Sequence, residues 1–133
     1  MRLHHESSGL VGKILAVWLM LMALVGVAAV DAASIAITTF RLSETASEAA
    51  TVGAAALRGT RGREAACEDA RLAIEAKDAD QPIGPAFCKV DPQTETVTIT
   101  LKRQASTIVA GRLSFTEDMA TIVVKESGRP SGV

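Results

Sequence analysis

The sequence predicts an α+β fold carried on a membrane helix, and three observations predict it. The first is an uncharged apolar run over residues 14–30, ILAVWLMLMALVGVAAV, bounded by Lys13 and Asp31. The second is its proline-free, alanine-rich continuation over residues 32–57. The third is a late stretch, TVTITLK over residues 96–102, that alternates strictly between apolar and polar side chains. Helical periodicity first and strand periodicity last describe a long N-terminal transmembrane helix continuing as an amphipathic stalk. A second short helix and a small antiparallel sheet of about three strands complete the expectation.

Residues 1–13 read as a short polar tail. Its positive side chains are Arg2 and Lys13, set against Glu6. Short basic flanks stay in the cytoplasm, so the chain is expected to run N-terminus inside and C-terminal part outside. His4 and His5 are neighbours, but a solvated tail explains them without a metal.

The apolar run must supply about 20 helical residues to cross ~30 Å of hydrocarbon. Residues 10–30 do so if Lys13 snorkels toward the headgroups. Trp18 stands near the inner end, where an indole suits an interface. Lys13, Trp18 and Asp31 are therefore the expected membrane-boundary residues, and the bilayer is the expected first partner. Gly26, Ala28 and Ala29 would admit a close helix neighbour. The rival reading is a secretory signal, because Val27-Ala28-Ala29 and Val30-Asp31-Ala32 both fit a small-x-small cleavage pattern. Cleavage there would release a small secreted binding module. Against it, Glu6 lies in the leading segment, and the uncharged run exceeds the about 7–15 residues of a signal core. A soluble core helix is the third alternative.

Residues 31–58 are expected as a helical stalk, since alanine is the best helix former and no proline interrupts. Ile35, Leu42, Ala46, Ala49, Gly53 and Ala56 recur at spacings of three, four or seven. Arg41, Glu44, Ser47, Glu48 and Thr51 collect on another face. The result is an amphipathic rod with a small-residue seam, through which other membrane proteins could dock. Gly59 is the expected residue after its C-terminus. Arg58, Arg61 and Arg63 then form a basic turn that suits the helix dipole as well as any anion.

Residues 63–126 are expected as the small α+β domain. Residues 63–78 read as its helix, with Ala66, Ala70, Ala73, Ile74 and Ala76 as a partial apolar face and Cys67 beside them. Pro82, Gly84 and Pro85 break the pattern. Residues 86–90 suggest a strand containing Cys88. Asp91-Pro92-Gln93-Thr94 is turn chemistry with proline preset at the second position. Residues 96–102 are the clearest strand, residues 105–115 are open between strand and loop, and residues 120–126 are the last strand. Residues 127–133 are expected as a flexible tail.

Composition bounds the function. The 133-residue chain has 14 Lys+Arg against 15 Asp+Glu, which gives no global attraction to nucleic acid. Aromatic content is 3% with no tyrosine, so the core must be modest and a staple is useful. Cys67 and Cys88 lie on the same side of the apolar run. In an oxidising compartment they are expected to pair, closing a loop of about twenty residues worth roughly 3 kcal/mol. Two thiolates without histidine do not complete a zinc site. A hydrolase triad needs an imidazole base, and the chain's histidines precede the apolar run. No phosphate-binding glycine loop or nucleophile-elbow motif is present. Asp69, Asp78, Asp80 and Asp118 show no recognisable pairing. No enzyme, cofactor, metal, nucleic acid or small-molecule substrate is expected.

A short tail leads into one membrane helix, then an Ala-rich helix, LSETASEAATVGAAAL. A Cys-containing helix, AACEDARLA, a second cysteine in CKVDP and a threonine- and valine-rich strand follow. This order, over roughly residues 10–102, resembles the TadE/TadG-like proteins of Flp (tight-adherence) pilus assembly, particularly the small actinobacterial-type members. The resemblance implies a minor pilin-like or pilus-assembly component anchored in the bacterial cell membrane with its C-terminal part outside. One departure stands out. Type IV-type prepilins carry glutamate at the fifth position after their glycine cleavage site. Cutting after Gly9 or Gly12 would place Ile14 or Val17 there.

Overall fold

The computed structural model describes residues 5–58 and 62–130. Its elements run α1 (His5–Leu57), α2 (Gly62–Lys77), β1 (Cys88–Asp91), β2 (Thr96–Gln104), α3 (Glu117–Ala120) and β3 (Thr121–Gly128). The architecture is α+β, as the periodicities require: a long helix, a second helix and one antiparallel sheet of order β1-β2-β3.

α1 is unbroken over 53 residues, a rod of about 80 Å at 1.5 Å per residue. Helix begins at His5, so most of the expected polar tail is part of the rod. His4 and Gly59 lie outside the described residues, as do Arg61 and the last residues of the expected flexible tail. The two halves of α1 live in different surroundings. From Leu10 to Val30 the large apolar side chains are 51–67% exposed, apart from half-buried Val27 at the end nearest the β2–β3 connection. This half of α1 is therefore no part of the chain's own core, and its length and composition fit a single-pass membrane helix.

Beyond it, buried positions recur along one stripe: Asp31, Leu42, Thr45, Ala46, Ala49, Ala50 and Ala54. The spacing of three and four is that of a helix with one face covered. The expected polar face, Arg41, Glu44, Ser47, Glu48 and Thr51, is exposed.

What covers the stripe is the rest of the chain. α2 packs Ala66, Ala70 and Ile74 against it, and the sheet adds Val97, Ile99, Leu101 and Ile122. Ala73 is partly buried in this contact, whereas Ala76 is exposed, on the far side of α2. Ile74, Ile99, Leu101 and Val97 are the largest fully buried side chains. Each contributes about 1.5–3 kcal/mol by leaving water. The alanines contribute proximity instead. A Cβ on Gly53 would stand 3.0 Å from the Ala66 carbonyl oxygen and 3.1 Å from Val97 Cγ1. Gly128 is tighter still, since an added Cβ there would meet the Ala50 carbonyl at 2.4 Å. The end of β3 therefore rests on the backbone of the stalk.

The strands follow their pattern with shifted ends. β2 pairs Ile99 with Cys88 and with Glu126, placing Val97, Ile99 and Leu101 inward and the threonines outward. β1 begins at Cys88 rather than at residue 86. Pro85 and Ala86 are drawn into a turn that the Phe87 N–H closes on the Gly84 carbonyl at 3.3 Å. The β1–β2 turn forms at the expected place, with the Gln93 N–H on Asp91 Oδ1 at 2.9 Å and Glu95 at φ 51°. Ser127 and Gly128, expected in the tail, belong to β3. Ser127 and Thr98 hydroxyls lie 3.0 Å apart across the strands. Residues 105–116 resolve as loop and turn.

Candidate functional site

The most heavily specified polar cluster stands where the two halves of α1 meet. Asp31 is 6% exposed. Its Oδ1 accepts the Ile108 N–H at 2.6 Å, and its Oδ2 accepts those of Val109 and Ala110, each at 2.9 Å. One turn further along, the Ser34 hydroxyl donates to the Ser106 carbonyl. The three N–H groups, Ile108's first, hold the Asp31 carboxyl below its ordinary range, because each favours the charged form.

The segment so held is a closed loop. Its neck is the Ala105 N–H on the Ala120 carbonyl at 2.8 Å. Inside, the Thr107 hydroxyl accepts the Gly111 N–H at 2.7 Å, and the Thr116 hydroxyl donates to the Ala110 carbonyl at 2.7 Å. Fourteen or so residues whose ends meet, packed by their own side chains, make an Ω-loop. Between it and α1 lies an apolar cleft of about 290 Å³, whose walls include Val27, Ala28 and Ile35 from the helix and Leu113 and Met119 from the loop.

A second, polar cleft of about 200 Å³ lies further along the stalk, among Thr38, Arg41, Thr45, Asp78, Gln81 and Arg103. The Arg103 guanidinium pairs with Asp78 and so closes one side of it. The buried Gln81 amide donates to the Lys102 carbonyl at 3.1 Å and to the Pro82 carbonyl at 3.0 Å. These groups satisfy one another and tie the α2–β1 connection to β2. Among the described residues no three His, Cys, Asp or Glu side chains come together as a metal site.

Cys67 and Cys88 are joined, with Cα atoms 5.8 Å apart and a sequence separation of 21. The bridge fastens the middle of α2 to the first residue of β1. At its C-terminal end α2 is also tied to the stalk by Lys77, which donates to Glu48 and Glu44.

The expected boundary residues separate. Lys13 and Trp18 are exposed on α1. Asp31 is turned inward and engaged by the loop. Sequence reasoning placed Asp31 at the end of the apolar run and missed this role. A signal was present: Asp31, Ile35 and Leu42 share one helix face at spacings of four and seven, so an acid stood on the face destined for burial. The loop itself carried no periodicity to read.

The small-residue seam is also redirected. Ala46, Ala49, Ala50 and Ala54 are fully covered by the chain's own α2 and sheet. The part of the stalk left open to others is its outer side, where Ile37 and Phe40 are 54% and 73% exposed. No family model, curated protein or solved structure matches this chain.

Proposed function

We propose that this chain is a bacterial single-pass membrane tether whose non-catalytic α+β domain stands outside the cytoplasm and engages other envelope proteins. The observation that carries the reading is the division of α1. One unbroken helix has an uncovered apolar half of membrane-spanning length and a second half clasped by a folded domain that begins at Asp31. A bilayer around the first half leaves the domain seated directly on the membrane.

Two features support the orientation. Arg2 and Lys13 flank the run on its N-terminal side, the side retained in the cytoplasm. The Cys67–Cys88 bridge suits an oxidising compartment on the other. The buried Asp31 argues against the second of the two cleavage sites, whereas a cut after Ala29 would retain it. Cleavage after Ala32 would discard the carboxylate that holds residues 108–110. The resemblance to TadE/TadG-like proteins narrows the partners to components of a pilus-assembly system, reached through the outer side of the stalk around Ile37 and Phe40. The residues at the fifth position after Gly9 and Gly12 favour a permanent anchor over a processed fibre subunit.

Protease treatment of intact bacterial cells tests the topology. A tag placed after residue 133 should be removed by added protease, while an N-terminal tag should survive until the cells are lysed. A C-terminal tag protected in intact cells and digested only after lysis would overturn the reading. A chain whose N-terminus maps to residues 30–33 would replace the tether with a secreted module.

A further inference from the structure

The Ω-loop between β2 and β3 leaves an unusual set of side chains outward. Ile108, Val109, Leu113, Phe115 and Met119 are 51%, 41%, 40%, 79% and 66% exposed. Soluble surfaces scatter such residues singly, and a cluster within twelve residues calls for a partner. Asp31 holds residues 108–110 abreast of the first position after the apolar run. Leu113 and Met119 share a cleft with Val27 and Ala28, which belong to the run itself.

We propose that this loop is a second membrane contact: it dips into the outer leaflet at headgroup depth beside α1. The inference rests on residues 14–30 being the span. Given that span, Val27 and Ala28 lie inside the bilayer boundary, and side chains lining a cleft with them are brought to the lipid. The chemistry of the loop fits that depth. Its backbone groups bond to its own hydroxyls and carbonyls, so little unpaired polarity enters the interface. Arg112 is the cation of the loop, set where phosphates lie, while Glu117 and Asp118 supply two negative charges at α3. With the acids outnumbering the arginine, the attraction is apolar and extends to zwitterionic lipid.

Tryptophan fluorescence of the full chain in phosphatidylcholine vesicles, with and without lipids brominated near the headgroup end of the acyl chains, tests this. The chain has one tryptophan, Trp18. In the unaltered chain its quenching by brominated lipid reports the span. In a Trp18→Phe background, Phe115→Trp reports the loop, and Lys89→Trp reports the far end of the domain. Lys89 pairs with Thr98, which pairs with Ser127, beside the Gly128 that rests on Ala50. Ala50 stands about 28 Å along the helix from Asp31 at 1.5 Å per residue. The expected result is blue-shifted, quenched emission from Phe115→Trp and neither change from Lys89→Trp. Circular dichroism should be the same for all three proteins, since Phe115 and Lys89 are both surface positions. Quenched Trp18 with unquenched Phe115→Trp overturns the loop contact and leaves the tether standing. Unquenched Trp18 removes both. Emission from Phe115→Trp that is blue-shifted but unquenched, with cross-links between copies at position 115, would assign the patch to self-association and overturn the lipid contact.

Discussion

Asp31 illustrates how one carboxylate can set the relation between a helix and a distant loop. It spends both oxygens on three consecutive N–H groups, the arrangement that most favours the charged form. Its folded value is depressed, so its contribution is present at pH above the ordinary 3.8 and is lost as pH falls through the lower folded value. Protection of the Ile108, Val109 and Ala110 amides, measured against their intrinsic exchange rates, should therefore fall on acidification below that point. Asp31→Asn should show fast exchange already at neutral pH, with the acid dependence flattened. Gly128 presents the steric counterpart. Gly128→Val would drive a branched side chain into the Ala50 carbonyl, and overpacking of this kind costs about 1–3 kcal/mol or more. Gly84→Ala, which meets nothing within 4 Å, should be near neutral in the same denaturant titration. At Glu95 the backbone sits at φ 51°, a region that suits glycine, so Glu95→Gly should raise stability by about 0.5–1 kcal/mol.

The elements owe their cohesion to different devices. α1 and α2 approach closely because alanine and glycine face one another, as the Gly53–Ala66 contact shows. Such contacts bury little area per residue, so the larger side chains of β2 supply most of the apolar term. Ile99→Ala should lower stability by about 2–5 kcal/mol, read from the denaturation midpoint with an unchanged slope. The disulfide does what the small core cannot. Opening the 21-residue loop with Cys67→Ser and Cys88→Ser together should remove roughly 3 kcal/mol, and reduction of the unaltered chain should match it. Much of this element order was legible in the sequence. The alternation of TVTITLK identifies β2, and the 3.6-residue spacing of Leu42, Ala46, Ala49 and Gly53 identifies the covered face of the stalk. Boundaries were less legible, because tertiary bonds set them. The turn at Gly84 trims β1, and cross-strand pairing with Val97 extends β3 to Gly128.

At the scale of the whole molecule the chain is a rod with a domain wrapped around its second half. The sheet lies along the stalk with the β3 terminus at Ala50 and the β2–β3 loop at Asp31. That direction sends the loop toward the bared apolar half of the helix and the β1–β2 turn away from it. For a tether, this ordering means that the membrane-proximal end is specified by the loop and the distal end by the turn and the bridge.

The sequence by itself determined the class of fold, the uncovered apolar helix, the covered face of the stalk and the cysteine pair. All of these follow from local periodicity, from composition or from the count of thiols. Only the tertiary structure decided what Asp31 does, that the alanine seam is consumed within the chain, and that the apolar loop sits at the end of the run. Those depend on contacts between separate elements, Gly53 with Ala66 and, seventy-seven positions apart, Asp31 with Ile108, and no local pattern encodes the approach of such segments.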